Sequence, residues 1–163
     1  IKFVKKACSF ADTVAFILPR SFKKNSMKKF FPLNFHLRYE YVIPKDSFYN
    51  DNISYDVKCV YQIWVKKNHN RFIQPLQSPI RYEFVKKNEN PHISIVRVGF
   101  KSGQVSTNIS TKSPQTNYFI RFQKFTKPLF KQIECLEFDT KSFTVGPRSI
   151  SKQDIIQKLN LLT

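Results

Sequence analysis

Few residues in this chain have the types and spacing for chemistry. His36, His69 and His92 lie far apart and lack metal-ligand spacing. Asp46, Asp51 and Asp56 crowd one polar stretch without the ordered pattern of a cation loop, and read as solvated. No phosphate-binding loop, Gly-x-Gly-x-x-Gly or Ser/His/Asp nucleophile arrangement is present, and the 3 glycines are scattered. Two features stand out instead. Pro19-Arg20-Ser21, followed by Lys23 and Lys24, is a basic turn closing an apolar run, and Phe48 is a lone conspicuous aromatic in the polar stretch 45–56. Both residue types suit nucleic acid: cations meet phosphates, and aromatic faces stack on bases.

The charge agrees. Against 11 Asp+Glu stand 28 Lys+Arg, a formal net charge of +17 that attracts polyanions. Residues 1–30 carry eight of the bases and only one acid, Asp12. With 41% hydrophobic residues and 17 Phe in 163 residues, the chain has enough apolar side chain for a folded core. Cys8, Cys59 and Cys135 are widely spaced beside apolar residues; the reading is three buried free thiols, suited to a reducing cytoplasm. No signal peptide or membrane-length apolar run is present, so a cytoplasmic protein with no membrane partner is expected.

The elements that would position these residues follow from periodicity. Ile1, Val4, Cys8 and Ala11 share a helical face; the segment starts without Met or a capping residue, and is expected to be a helix cut by truncation. Thr13 to Leu18 reads as a buried parallel strand covered on both faces, closed by Pro19. Ser26 is expected to cap a short helix from Met27 to Phe31. Period-two alternation then places Phe35, Leu37, Tyr39, Tyr41 and Ile43 on one face, opposite His36, Arg38 and Glu40. Residues 45–56 are expected to be a loop and 57–65 an antiparallel neighbour of 35–43. Beyond a polar linker, 68–79, the pattern is β-rich. Tyr82–Val85 and Ile93–Val98 are expected to pair as a hairpin, Tyr118–Gln123 to form a strand, and Pro128–Glu137 a helix. A last helix is opened by a capping box of Ser151 and Asp154.

Several segments resemble a known family. They are Asp12 to Ser26, with Phe16-Ile17-Leu18-Pro19-Arg20-Ser21-Phe22; Asn34-Phe35-His36-Leu37; Tyr55 to Lys67, with Val60-Tyr61-Gln62-Ile63-Trp64; Arg97-Val98-Gly99; Asn117-Tyr118-Phe119-Ile120; and Thr144 to Ser151. Together they resemble S-adenosylmethionine-dependent, adenine-specific DNA methyltransferases of bacteria, phages and large viruses. The resemblance implies an α/β fold: the C-terminal half of a Rossmann-like sheet, with 13–18 the fifth strand and 35–43 and 57–65 the final antiparallel pair, then a mixed β-rich region with a terminal helix. It implies three parts: 1–67 from the catalytic domain, the 68–79 linker, and 80–163 as a substrate-recognition extension carrying Arg81, Lys86, Lys87, Arg97, Lys101, Lys112 and Arg121. The family's Gly-rich cofactor loop and Asn-Pro-Pro-Phe motif are missing, so no catalytic or cofactor-binding residue is expected in these residues. Base and substrate binding are expected at Phe48, Pro19, Arg20, Ser21, Lys23 and Lys24, with Phe48 stacking on a flipped adenine and Arg20 holding a phosphate beside it. The expected partner is double-stranded DNA, with a separate N-terminal half as a second candidate partner. The rival readings are a non-catalytic nucleic-acid-binding module and one half of a split enzyme.

Overall fold

The computed structural model describes residues 1–163. The chain forms two compact units: Ile1–Gln74 with Phe143–Val145, and Pro75–Ser142 with Gly146–Thr163. No helix is long and apolar enough to cross a membrane.

Unit one opens with helix α1 (Lys2–Phe10), which buries Val4 and Cys8 and has no side-chain cap. Strand β1 (Thr13–Pro19) follows, then a 3-10 turn (Arg20–Lys23) and a one-turn helix α2 (Asn25–Lys28). The short helix thus starts earlier than expected, and without the Ser26 cap. Strands β2 (Phe35–Val42) and β5 (Cys59–Lys66) complete a three-stranded sheet of order β1-β5-β2. The last strand lies between the other two and runs antiparallel to both. No parallel pair forms: β1, expected as a parallel strand, pairs here only with β5, antiparallel.

Side-chain alternation seats this sheet on one core. Val14, Leu18, Val60, Trp64 and Phe35 are buried with Val4, Cys8, Phe22 and Phe31. Phe31 stacks on Trp64, ring centroids 3.9 Å apart and 11° from parallel. Only this face of β1 is covered; Ile17, on the other, is 57% exposed. In β2 a register shift between Leu37 and Tyr39 overrides the uniform alternation expected from sequence. An extra residue in one strand re-aims everything after it. Phe35 and Leu37 pack on the core, whereas Tyr39 and Tyr41 turn outward and Glu40 turns in.

That inward turn is answered by a polar network. Gln62 is fully buried; its Nε2 donates to Glu40 Oε2 (2.7 Å) and to the Phe22 carbonyl (3.2 Å), and its Oε1 accepts from Trp64 Nε1 (3.0 Å). Lys28 stands 3.2 Å from Glu40 and Lys23 3.9 Å. Arg71, within the polar stretch 68–79, donates to the carbonyls of Lys28, Phe31, Pro32 and Phe35 and lies 5.3 Å from the Trp64 ring centroid. These carbonyls end α2 and the turn after it, where backbone acceptors have no intrahelical donor. Burial pulls the Arg71 pKa below its ordinary value.

Unit two contains a four-stranded antiparallel sheet. Its strands are β6 (Tyr82–Val85), β7 (Ile93–Val96), β8 (Val105–Ser106) and β9 (Asn117–Phe122), in the order β6-β9-β7-β8. The expected β6–β7 hairpin is absent because β9 inserts between them. Ile120 and Phe122 on β9 are as deeply buried as Ile93 and Ile95 on β7, which suits β9 to a central place. Helices α3 (Lys127–Glu134) and α4 (Lys152–Leu159) bury Ile133, Ile155, Ile156 and Leu159. Thr126 caps α3, and the expected Ser151–Asp154 capping box starts α4. Gly103 has φ +95°, a backbone conformation that favours glycine, and an added Cβ would lie 3.0 Å from the Phe138 ring, which would have to give way. Tyr82 Oη donates to Asn160 Oδ1 at 3.0 Å, and burial pushes its pKa up to about 12. Unlike a surface loop histidine, His92 lies parallel to the Phe125 ring at 4.9 Å, and its Nδ1 accepts from the Phe122 amide. Cys8 and Cys59 are buried as expected; Cys135 is exposed on the outer side of α3's end.

Candidate nucleic-acid interface

Register fixes where the expected site residues of unit one lie. Pro19 pairs with Cys59, Val42 pairs with Val60, and the Ile43 amide donates to the Cys59 carbonyl. The carboxyl ends of β1 and β2 therefore share one edge of the sheet, where β5 begins. Two excursions leave from that edge: the turn 20–24 and the segment 43–58.

The turn is anchored from within. Phe22 is buried and its carbonyl is held by Gln62, which fixes the backbone between Ser21 and Lys23. The Arg20 amide donates to the Lys58 carbonyl at 2.9 Å, and the Lys24 amide to the Ser21 carbonyl at 2.9 Å. Arg20 is half-buried, with Nε enclosed and without a partner. Its charge acts on Cys59, whose pKa burial raises and Arg20 partly lowers. Pro19, Arg20, Ser21, Lys23 and Lys24 thus form one continuous basic corner, with Lys23 partly engaged by Glu40.

The second excursion is not the plain loop expected. It forms a hairpin of β3 (Phe48–Asn50) and β4 (Ile53–Tyr55), with Phe48 opposite Tyr55. Asp51 and Asn52 both have positive φ, 50° and 63°, as a two-residue primed turn demands. Ser54 Oγ donates to Asp46 Oδ1 at 2.6 Å, so Asp46 serves the hairpin. Phe48 is half-buried, while Tyr49, Ile53 and Tyr55 are exposed. Sequence reasoning found Phe48 but missed these three, because without the hairpin they read as scattered loop residues.

A second arrangement lies in unit two. An open groove of about 850 Å³ is lined by Phe84, Lys86, Lys87, Asn117, Tyr118 and Lys152, among others. Phe84 and Tyr118 meet edge to face at 5.8 Å. Lys152 Nζ stands 4.9 Å from the Phe84 centroid and 6.0 Å from that of Tyr118, and the Arg97 guanidinium lies 5.5 Å from Tyr118. Chain segments distant in sequence assemble it. Val98 bridges Ser149, the Gly99 amide donates to the Arg148 carbonyl, and the Ile150 amide donates to the Arg97 carbonyl. Residues 97–99 and 148–150 are thereby joined, with Arg97 reaching Tyr118 and Lys152 reaching Phe84 from the two segments. Lys86, Lys87 and Arg97 were expected as recognition residues; Phe84, Asn117, Tyr118 and Lys152 were not. Their common signal is the strand order, which the sequence pattern misassigned. Of the other expected residues, Arg121 is engaged by Glu83 at 2.8 Å and by the carbonyl of groove-lining Glu89 at 3.0 Å, and Arg81 by the Thr163 carbonyl.

No group of His, Cys, Asp and Glu is placed to hold a metal ion. His36 and His69 do meet, ring centroids 4.8 Å apart, and His36 Nε2 lies 2.9 Å from the His69 carbonyl. The glycines form no cradle for S-adenosylmethionine. All three glycines lie in unit two, and a Cβ added at Gly99 or Gly146 would meet nothing, so neither glycine lines a close-fitting cradle. Comparisons with protein-family models, with curated proteins and with solved structures give no match to this chain.

Proposed function

We propose that this chain is the substrate-binding portion of an S-adenosylmethionine-dependent methyltransferase acting on the exocyclic amine of adenine in double-stranded DNA. The observation that carries the reading is the shared edge of unit one, where the basic corner 20–24 and the Phe48 hairpin both leave the carboxyl ends of strands. Ligands of open α/β sheets gather at such ends. In this reading β1, β2 and β5 are the end of a Rossmann-like sheet. Arg20, Lys23 and Lys24 hold phosphates, and Phe48 stacks on an adenine turned out of the duplex. The chain binds and holds; the cofactor and the groups that align the amine belong to residues outside this chain, either of one longer protein or of a separate half.

A second reading has its own support. With no cradle for the cofactor, the same surface serves a nucleic-acid-binding module that performs no methyl transfer. Binding to a fully paired duplex and to one with a single unpaired adenine separates the two. A base-holding site favours the unpaired adenine, because the unpairing energy is already spent, and Phe48→Ala removes that preference, worth about 1–3 kcal/mol of stacking. Equal affinity for both duplexes in the unaltered chain supports the plain binding module instead.

A further inference from the structure

We propose that the groove of unit two is a nucleotide subsite that takes one nucleotide of a single-stranded nucleic acid whose base carries an exocyclic amine. The proposal needs neither methyl transfer nor the Arg20 corner, so it stands apart from the function proposed above.

Three observations converge. First, the cations are uncompensated. Arg97, Lys86 and Lys152 make no ion pair, and Lys87 Nζ donates only to the Ser110 carbonyl, at 2.8 Å. The one carboxylate lining the groove, Glu89, has Oε2 engaged by the Lys86 amide. Second, Lys152 and Arg97 are held over the Phe84 and Tyr118 rings, which fixes charge beside an aromatic surface. A phosphate and its base present the complementary pair of features. Third, the site contains a buried acceptor with no donor. Asn117 is 7% exposed and lines the groove. Its Nδ2 donates to the Ser113 carbonyl and Thr116 Oγ1, both at 3.0 Å, while Oδ1 has no partner. Buried acceptors are almost always satisfied, so an orphan in a groove marks a place for a ligand donor. An exocyclic amine supplies that N–H; a bare phosphate does not. Glu89 Oε1 offers a second acceptor and disfavours ligands that bring only negative charge.

The test uses the full 163-residue chain and fluorescence anisotropy, with a labelled single-stranded deoxyadenosine octamer and an abasic octamer of equal charge. The deoxyadenosine strand binds about 5-fold more tightly or better. Tyr118→Leu, which keeps an apolar side chain in place, abolishes that difference. The double variant Lys86→Ala/Lys152→Ala, at two exposed positions, weakens both strands and lowers the salt slope by about 1.4. The control Lys127→Ala/Lys131→Ala on the exposed side of α3 keeps the base preference and changes the slope less. Equal affinity for the two strands overturns the proposal, as does a control that loses as much as the groove variant, since either shows diffuse charge alone at work. Phe48 and Tyr118 separate this claim from the earlier one. If Phe48→Ala removes the deoxyadenosine preference while Tyr118→Leu keeps it, the base is held in unit one and the proposal fails.

Discussion

The two sheets of this protein bury their apolar residues differently. The sheet of unit two packs against α3 and α4, with Ile93, Ile95, Ile120, Ile133, Ile155 and Leu159 fully enclosed. The sheet of unit one is packed on one face only, and its other face presents Ile17, Tyr39 and Tyr41 to solvent; Phe3 and Phe10 on α1 are exposed as well. Unit one compensates with hydrogen bonds: Arg71 on four carbonyls and Gln62 on three partners do work that a second packed layer does in unit two. A core closed by apolar packing and a core closed by a polar clamp should fail in different ways.

The largest effect is expected in the apolar core. Ile155→Ala should cost about 2–5 kcal/mol, seen as lost amide-exchange protection in β7 and β9. A smaller cost would mean that unit two is less tightly packed than its burial indicates. Arg71→Met should cost unit one about 2–3 kcal/mol, because several buried carbonyls lose a charged donor at once. Trp64, the only tryptophan, reports this directly by fluorescence in urea. A variant as stable as the original would show that the clamp contributes little.

Tyr82 sharpens the contrast through pH. Its folded pKa, about 12, lies above the ordinary 10, so the fold favours the neutral phenol. The unfolded chain therefore releases the proton first. Stability from this group is complete below about pH 10 and is lost as pH rises toward 12. Unfolding of Tyr82→Phe, compared with the original at about pH 9 and about pH 11.5, should show the gap closing at the higher value. The smallest effect is expected on the open face. Ile17→Asp should change stability by no more than about 0.5 kcal/mol, although its neighbour Leu18 is buried. A large loss would show that the outer face is covered in solution.

Local signals carried much of this architecture. Helix α1, the Ser151–Asp154 capping box, β5 and β9 each follow from periodicity and capping within a few residues. Long-range choices were not legible. Nothing local in β9 says that it inserts between β6 and β7, and nothing in Arg38 announces the register shift that turns Tyr39 and Tyr41 outward. The apolar run of β1 reads as doubly covered because composition reports apolarity, not which neighbour supplies the cover. The same limit divides the candidate sites. The 20–24 corner is contiguous in sequence and was readable, as was Phe48 alone. The hairpin around Phe48 and the groove of Phe84, Asn117, Tyr118 and Lys152 depend on pairings that only the folded chain makes.

In the proposed function, the corner at the carboxyl end of β1 binds the phosphates of nucleic acid. The most direct measurement is the salt dependence of duplex DNA affinity for the original chain and for Arg20→Gln/Lys24→Gln. Each lost phosphate contact removes about 0.9 from the slope of log affinity against log salt, so the double variant should be shallower by nearly two. An unchanged slope would contradict the account and place the DNA elsewhere on this basic surface.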